Sequence, residues 1–94
     1  MMTFTEAMLD ELSEVFPEWS PAQIEVAMMY TSGMPIADIS SSRSTSQANT
    51  RKILKECVSA VNISSLNVLY GVVQSRLSTY LLIKINELGK KQIR

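Results

Sequence analysis

The sequence predicts an all-α fold: one small domain of about five helices, with a helix-turn-helix in its middle and a long dimerisation helix at its C-terminal end. Three observations carry this expectation. Apolar residues recur at three- and four-residue intervals over most of the chain, not in the two-residue alternation of half-buried strands. Ser-Pro, Gly and single Ser residues punctuate those stretches where helices start and stop. Finally, 46% of the residues are apolar while only three are Gly and three Pro, a composition that suits a folded helical chain around one core. Ninety-four residues suffice for a single domain spanning 1–94, and a second core does not fit.

Thr3, followed three residues later by Glu6, makes a capping box, and Phe4, Met8, Leu9, Leu12, Val15 and Phe16 form an apolar stripe. An added N-terminal helix is therefore expected over about residues 4–16. Its opposite face is acidic (Asp10, Glu11, Glu14), the pattern of a solvated surface, with partner binding as the alternative.

Ser20-Pro21-Ala22-Gln23 combines an N-cap serine, a proline at the first helical position and a capping-box Gln, so a second helix begins there and Gly33 stops it. Ile24, Ala27, Met28 and Tyr30 or Thr31 form its expected inward stripe, and the Met-rich run Ala27-Met28-Met29 reads as core filling. Pro35 to Ile39 opens a short third helix with Ile36 and Ile39 facing in. From Ser40 to Ser46, six of seven residues bear hydroxyls. That run suits either a flexible linker or the end of one helix, a tight turn and Ser46 as the next N-cap. The second alternative is the better supported, because the periodic segments on both sides have the lengths such a motif needs.

From Ser46 to about Val61, the residues Ala48, Ile53, Leu54, Cys57, Val58 and Val61 are expected on one face, with Arg51, Lys52 and Lys55 on the other. Gln47, Asn49 and Thr50 lie near the helix start. Side chains able to pair with base edges and phosphates, gathered in the first turns of a helix, suit entry into a major groove. The core thus runs over about 20–63. A further cap at Ser64 or Ser65 opens a long helix over about 64–88, ended by Gly89 and a basic tail of Lys90, Lys91 and Arg94. Leu66, Leu69, Tyr70, Val73, Leu77, Tyr80 and Leu81 lie along it, Lys84 or Ile85 and Leu88 continue the stripe, and Val68, Val72, Leu82 and Ile83 are also apolar. This surface is too wide and too long for one small domain to cover, so a homodimer through residues 66–88 is expected.

The charges are segregated. Seven of the nine acidic residues precede Arg43, and all nine Lys and Arg lie from Arg43 onward, so a net charge of zero hides a dipolar chain. One end suits phosphates and the other repels them. The longest apolar runs, Val26–Tyr30 and Tyr80–Ile83, fall far short of the roughly 20 residues of a membrane span, and a cytoplasmic protein is expected with no membrane partner. With no His and a lone Cys57, no metal site, cofactor or internal disulfide is expected. Nor is a His available to activate a nucleophile, and there is no Gly-rich phosphate loop, so the chain is not expected to be an enzyme. Cys57 reads as a small core residue.

Between Ser20 and Leu69 these residues resemble the LuxR-type (GerE-type) helix-turn-helix domain of bacterial transcription regulators. The resemblance rests on Ser20-Pro21 followed by Glu25-Val26, on Gly33, on Asp38-Ile39-Ser40, on Ser46 before the next helix, and on the closing pair Val61 and Ile63, without a gap. It implies a bacterial, dimeric transcription regulator that binds double-stranded DNA and is nucleoid-associated when bound. Arg51, Lys52 and Lys55 fall where the family makes its base and phosphate contacts, and Arg43, Ser46, Gln47, Asn49 and Thr50 complete the expected DNA-binding set. The chain departs from the family pattern at Arg43 (a core Leu there), Thr50 (Val) and Ile53 (often His). Arg43 implies a rearranged turn that lets it reach a phosphate, or else a loosened core. With no room for a receiver or ligand-sensing domain, control is expected from concentration, dimerisation or a partner. The alternative expectation is a module of the same fold that pairs with a full-length regulator and antagonises it, or that contacts RNA polymerase through its acidic first helix.

Overall fold

The computed structural model describes residues 4–92. It contains five helices: α1 Glu6–Val15, α2 Pro21–Thr31, α3 Ile36–Ser42, α4 Gln47–Ala60 and α5 Leu66–Gln92, with no strand among the described residues. The all-α expectation and the long last helix both hold. No helix among the described residues is long and apolar enough to cross a membrane.

Most helix boundaries follow from local chemistry. Ser20 caps α2 with a complete capping box: its hydroxyl accepts from the Gln23 N–H, and the Gln23 side chain accepts from the Ser20 N–H at 2.9 Å. Ser46 caps α4 by accepting from the Asn49 N–H at 3.0 Å. Thr3 lies outside the described residues; the cap of α1 is Thr5, whose hydroxyl accepts from the Met8 N–H at 3.1 Å.

The three middle helices end in one way. After α2 the N–H of Gly33 donates to Tyr30 and that of Met34 to Met29; after α3 Ser44 donates to Ser41 and Thr45 to Ser40; after α4 Asn62 donates to Ser59 and Ile63 to Val58. These are paired Schellman closures, and each needs a left-handed residue at its centre. Gly33 (φ 100°), Ser44 (φ 53°) and Asn62 (φ 57°) supply it. Gly33 therefore stops α2 as expected. The hydroxyl-rich run is the tight turn of the two alternatives, with Arg43 to Ser46 joining α3 to α4.

α2 is the hub, packed against α1, α3, α4 and α5, and this overturns its expected single stripe. Ile24, Val26, Ala27 and Met29 are all buried, because a helix with neighbours on every side buries apolar residues around most of its circumference. Beneath it the segment between α1 and α2 folds inward: Phe16 and Trp19 stack with ring centroids 4.6 Å apart, and the buried Trp19 indole N–H donates to the Cys57 carbonyl of α4 at 3.1 Å. Ile39, Leu54, Cys57, Leu69 and Val73 complete the core.

Two features of α5 differ from expectation. Gly89 does not end the helix, which continues to Gln92. Nor is the upper stripe free for a partner, since Leu69 and Val73 are buried in the chain's own core and Leu66 and Leu77 pack against it. Tyr80 donates its hydroxyl proton to Glu11 of α1. Of the seven expected dimerisation residues only Tyr70 and Leu81 are well exposed, and Tyr70 is engaged with the Tyr30 ring at 5.5 Å. The apolar surface lies further along: Leu81, Leu82, Ile83, Ile85 and Leu88 are each more than half exposed. At about 1.5 Å per residue α5 is about 40 Å long, and it stretches the molecule to 53 × 28 × 20 Å. The radius of gyration, 14.8 Å, exceeds the roughly 12 Å of a compact chain of this size for the same reason.

Candidate nucleic-acid interface

α4 divides sharply. Thr50, Leu54 and Cys57 are buried, while Arg51, Lys52, Lys55, Glu56 and Ser59 face solvent. Arg51 and Lys55 stand one turn apart with Lys52 beside them, and no ion pair engages any of the three among the described residues. The Arg51 guanidinium donates to the side-chain Oε1 of Gln47 at 3.3 Å, which steadies it one turn above the cap. Glu56, the only acidic residue of α4, accepts from the Gln23 amide of α2 at 3.2 Å at the edge of this face. The first-turn N–H groups of α4 add positive potential at the same end.

The remaining expected contacts divide between exposed and buried positions. Ser46 and Asn49 are exposed, but the Ser46 hydroxyl is committed to its cap and the Asn49 amide donates to the Thr45 hydroxyl at 2.9 Å. Gln47 is exposed beside Arg51. Thr50 is corrected outright: it is fully buried, and its hydroxyl lies 2.7 Å from that of Ser40, so it faces the core. Arg43 is also corrected. Its guanidinium pairs with Glu25 of α2 at 3.4 Å, and its side chain is only 20% exposed. In this arrangement the cation is turned toward a carboxylate of α2 and not outward from the turn.

Ala48 moves the other way. Expected on the apolar face, it is exposed, and its position three, four and seven residues before Arg51, Lys52 and Lys55 sets it among the cations. A residue this small leaves the basic face open to close approach. The acidic face of α1 lies elsewhere: among the described residues α1 packs on α2 and α5 and not on α4, so its carboxylates stand apart from Arg51, Lys52 and Lys55, while Arg43 and Arg76 are drawn into ion pairs with Glu25 and Glu18.

The buried thiol of Cys57 has its pKa pushed up to about 12, first by burial and then by the nearby Glu56 charge, which leaves it protonated and inert. No three His, Cys, Asp or Glu side chains gather into a metal site among the described residues.

No family model, curated protein or solved structure matches this chain.

Proposed function

We propose that this chain is a DNA-binding transcription regulator that acts as a homodimer, with α4 entering the major groove in the manner of the LuxR-type domain it resembles. The observation that carries the reading is the exposed face of α4, where Arg51, Lys52 and Lys55 stand around Ala48 with no ion pair among the described residues. Small, polar and cationic side chains in the first turns of a helix are what groove entry requires. The contacting set is Gln47, Ala48, Asn49, Arg51, Lys52 and Lys55; Thr50 and Arg43 serve the fold.

The dimer half of the reading rests on the far end of α5. Ser78, Leu81, Ile85 and Leu88 follow a three-four-three spacing, which puts Ile at an a position between Leu residues at d, the combination that favours a parallel two-stranded coiled coil. A second copy of the same helix is the simplest cover for it.

A second reading, a module that pairs with another regulator and antagonises it, is favoured by one observation: Leu82 and Ile83 are exposed outside that seam, so α5 offers more apolar surface than a two-stranded contact needs. Reversing the charge of Arg51, Lys52 and Lys55 together separates the two. Loss of regulation with the dimer intact by light scattering supports DNA binding, and unchanged regulation supports the antagonist.

A further inference from the structure

Beside the basic face, where the start of α3, the middle of α4 and the start of α5 meet, lies an open groove of about 340 Å³. Ile36, Leu54, Val58 and Leu66 form its apolar lining, and Arg51 and Lys55 complete it. Both cations lie on the exposed side of α4, and among the described residues neither pairs with a carboxylate. The volume is at the lower end of the range for small-molecule sites. An apolar lining alone would accept any greasy molecule, but two unneutralised cations select one that ends in a negative charge.

We propose that this groove binds a small amphiphilic carboxylate, a medium-length alkyl or single-ring aryl acid, with its hydrocarbon against Ile36, Leu54, Val58 and Leu66 and its carboxylate on Arg51 and Lys55. Such a ligand takes two of the three cations that the DNA reading assigns to phosphate and base contacts. Binding of the acid and binding of duplex are therefore mutually exclusive, which makes the groove an effector site on the DNA-binding face itself. The groove itself is independent of the DNA reading; the competition rests on it.

The test is a methyl NMR titration of the full chain with sodium decanoate below its micelle concentration, run beside 1-decanol and decylammonium. Saturable shifts confined to the Ile36, Leu54, Val58 and Leu66 methyls are expected with decanoate, weakened at least tenfold by the surface substitutions Arg51→Gln and Lys55→Gln, and abolished by groove-filling Val58→Phe. Equal response to all three probes, shifts spread over Leu81 to Leu88, or no saturation overturns the site. In a second arm decanoate is titrated into the chain bound to labelled duplex, and displacement is expected. Decanoate that fills the groove without displacing bound duplex overturns the competition. A chain that binds decanoate but no duplex at any salt leaves the groove standing and removes the DNA reading.

Discussion

The hydroxyls of Ser40 and Thr50 meet 2.7 Å apart in the seam between α3 and α4, and both residues are buried. Each hydroxyl has one proton. Two carbonyls compete for these protons, Ile36 at 2.8 Å from the Ser40 hydroxyl and Ser46 at 3.3 Å from that of Thr50. The shorter contact gives the Ser40 proton to Ile36, so Thr50 donates to Ser40 and the two helices are joined by a short relay. Thr50→Val keeps the shape and leaves Ser40 bonded to Ile36, and it is expected to cost about 1 kcal/mol or less. In a Ser40→Ala, Thr50→Val cycle followed by urea denaturation, a coupling of about 1 kcal/mol is expected. Strict additivity would mean that the relay contributes nothing.

Ser44 occupies the left-handed region at φ 53° in the Schellman closure of α3, a conformation glycine adopts freely and serine does not. Ser44→Gly is expected to stabilise the fold by about 1 kcal/mol, read as a rise in the thermal midpoint. At Gly33, where φ is 100°, the reverse change to Ala is expected to destabilise by a similar amount or more.

Arg76 of α5 clamps Glu18 with two hydrogen bonds, at 2.6 and 2.8 Å, and donates to the Val15 carbonyl at 3.2 Å. The guanidinium holds the Glu18 carboxyl at about 2, down from 4.5. Because the folded-state value lies below the unfolded one, the pair contributes its full stability above about pH 4.5 and loses it as pH falls toward 2. Both side chains are about a third exposed, so solvent limits the contribution to about 1 kcal/mol. Wild type and Glu18→Gln should therefore differ in unfolding midpoint at pH 6 and converge as pH approaches 2. Parallel curves would contradict this assignment.

The distal half of α5 gives a prediction about assembly. Replacing Leu81, Ile85 and Leu88 by Ser removes the proposed seam while the core residues Leu69 and Val73 stay in place. Sedimentation velocity should report a dimer for wild type and a folded monomer for the triple variant. A wild-type chain that is monomeric at micromolar concentration would remove the dimer from the account.

Much of this fold was legible in the sequence, because its punctuation is local. Ser20-Pro21-Gln23, Gly33 and Ser46 act on neighbouring backbone groups and do what they do in any helical chain. What escaped depends on distant partners. Thr50 reads as a polar residue near a helix start until Ser40 is brought against it, and Arg43 reads as a free cation until α2 presents Glu25. Trp19 lies between two periodic stretches, and no spacing announces that its indole reaches Cys57, far along the chain. In α5 the stripe is real, but its two halves differ: the first packs Leu66, Leu69, Val73 and Leu77 into or against the chain's own core, and the second, from Leu81 to Leu88, is mostly uncovered. Gly89 failed as a stop because a glycine inside an exposed helix costs only about 1 kcal/mol, and a C-cap also needs a following residue to fold back. At the candidate interface the cations were legible from their spacing. Ala48 was not, since an alanine fits either face.

The most direct test of the central claim is a fluorescence-anisotropy titration of the full chain with a mixed-sequence duplex, repeated from low to physiological salt. With Arg51, Lys52 and Lys55 as the phosphate-reaching cations, log affinity should fall with log salt at a slope of about −3 per protomer and about −5 for the dimer. The triple Gln variant at these positions should lose binding while keeping its helical circular dichroism. A folded chain that ignores duplex at low salt, or binds it with a slope near zero, would contradict the DNA-binding account.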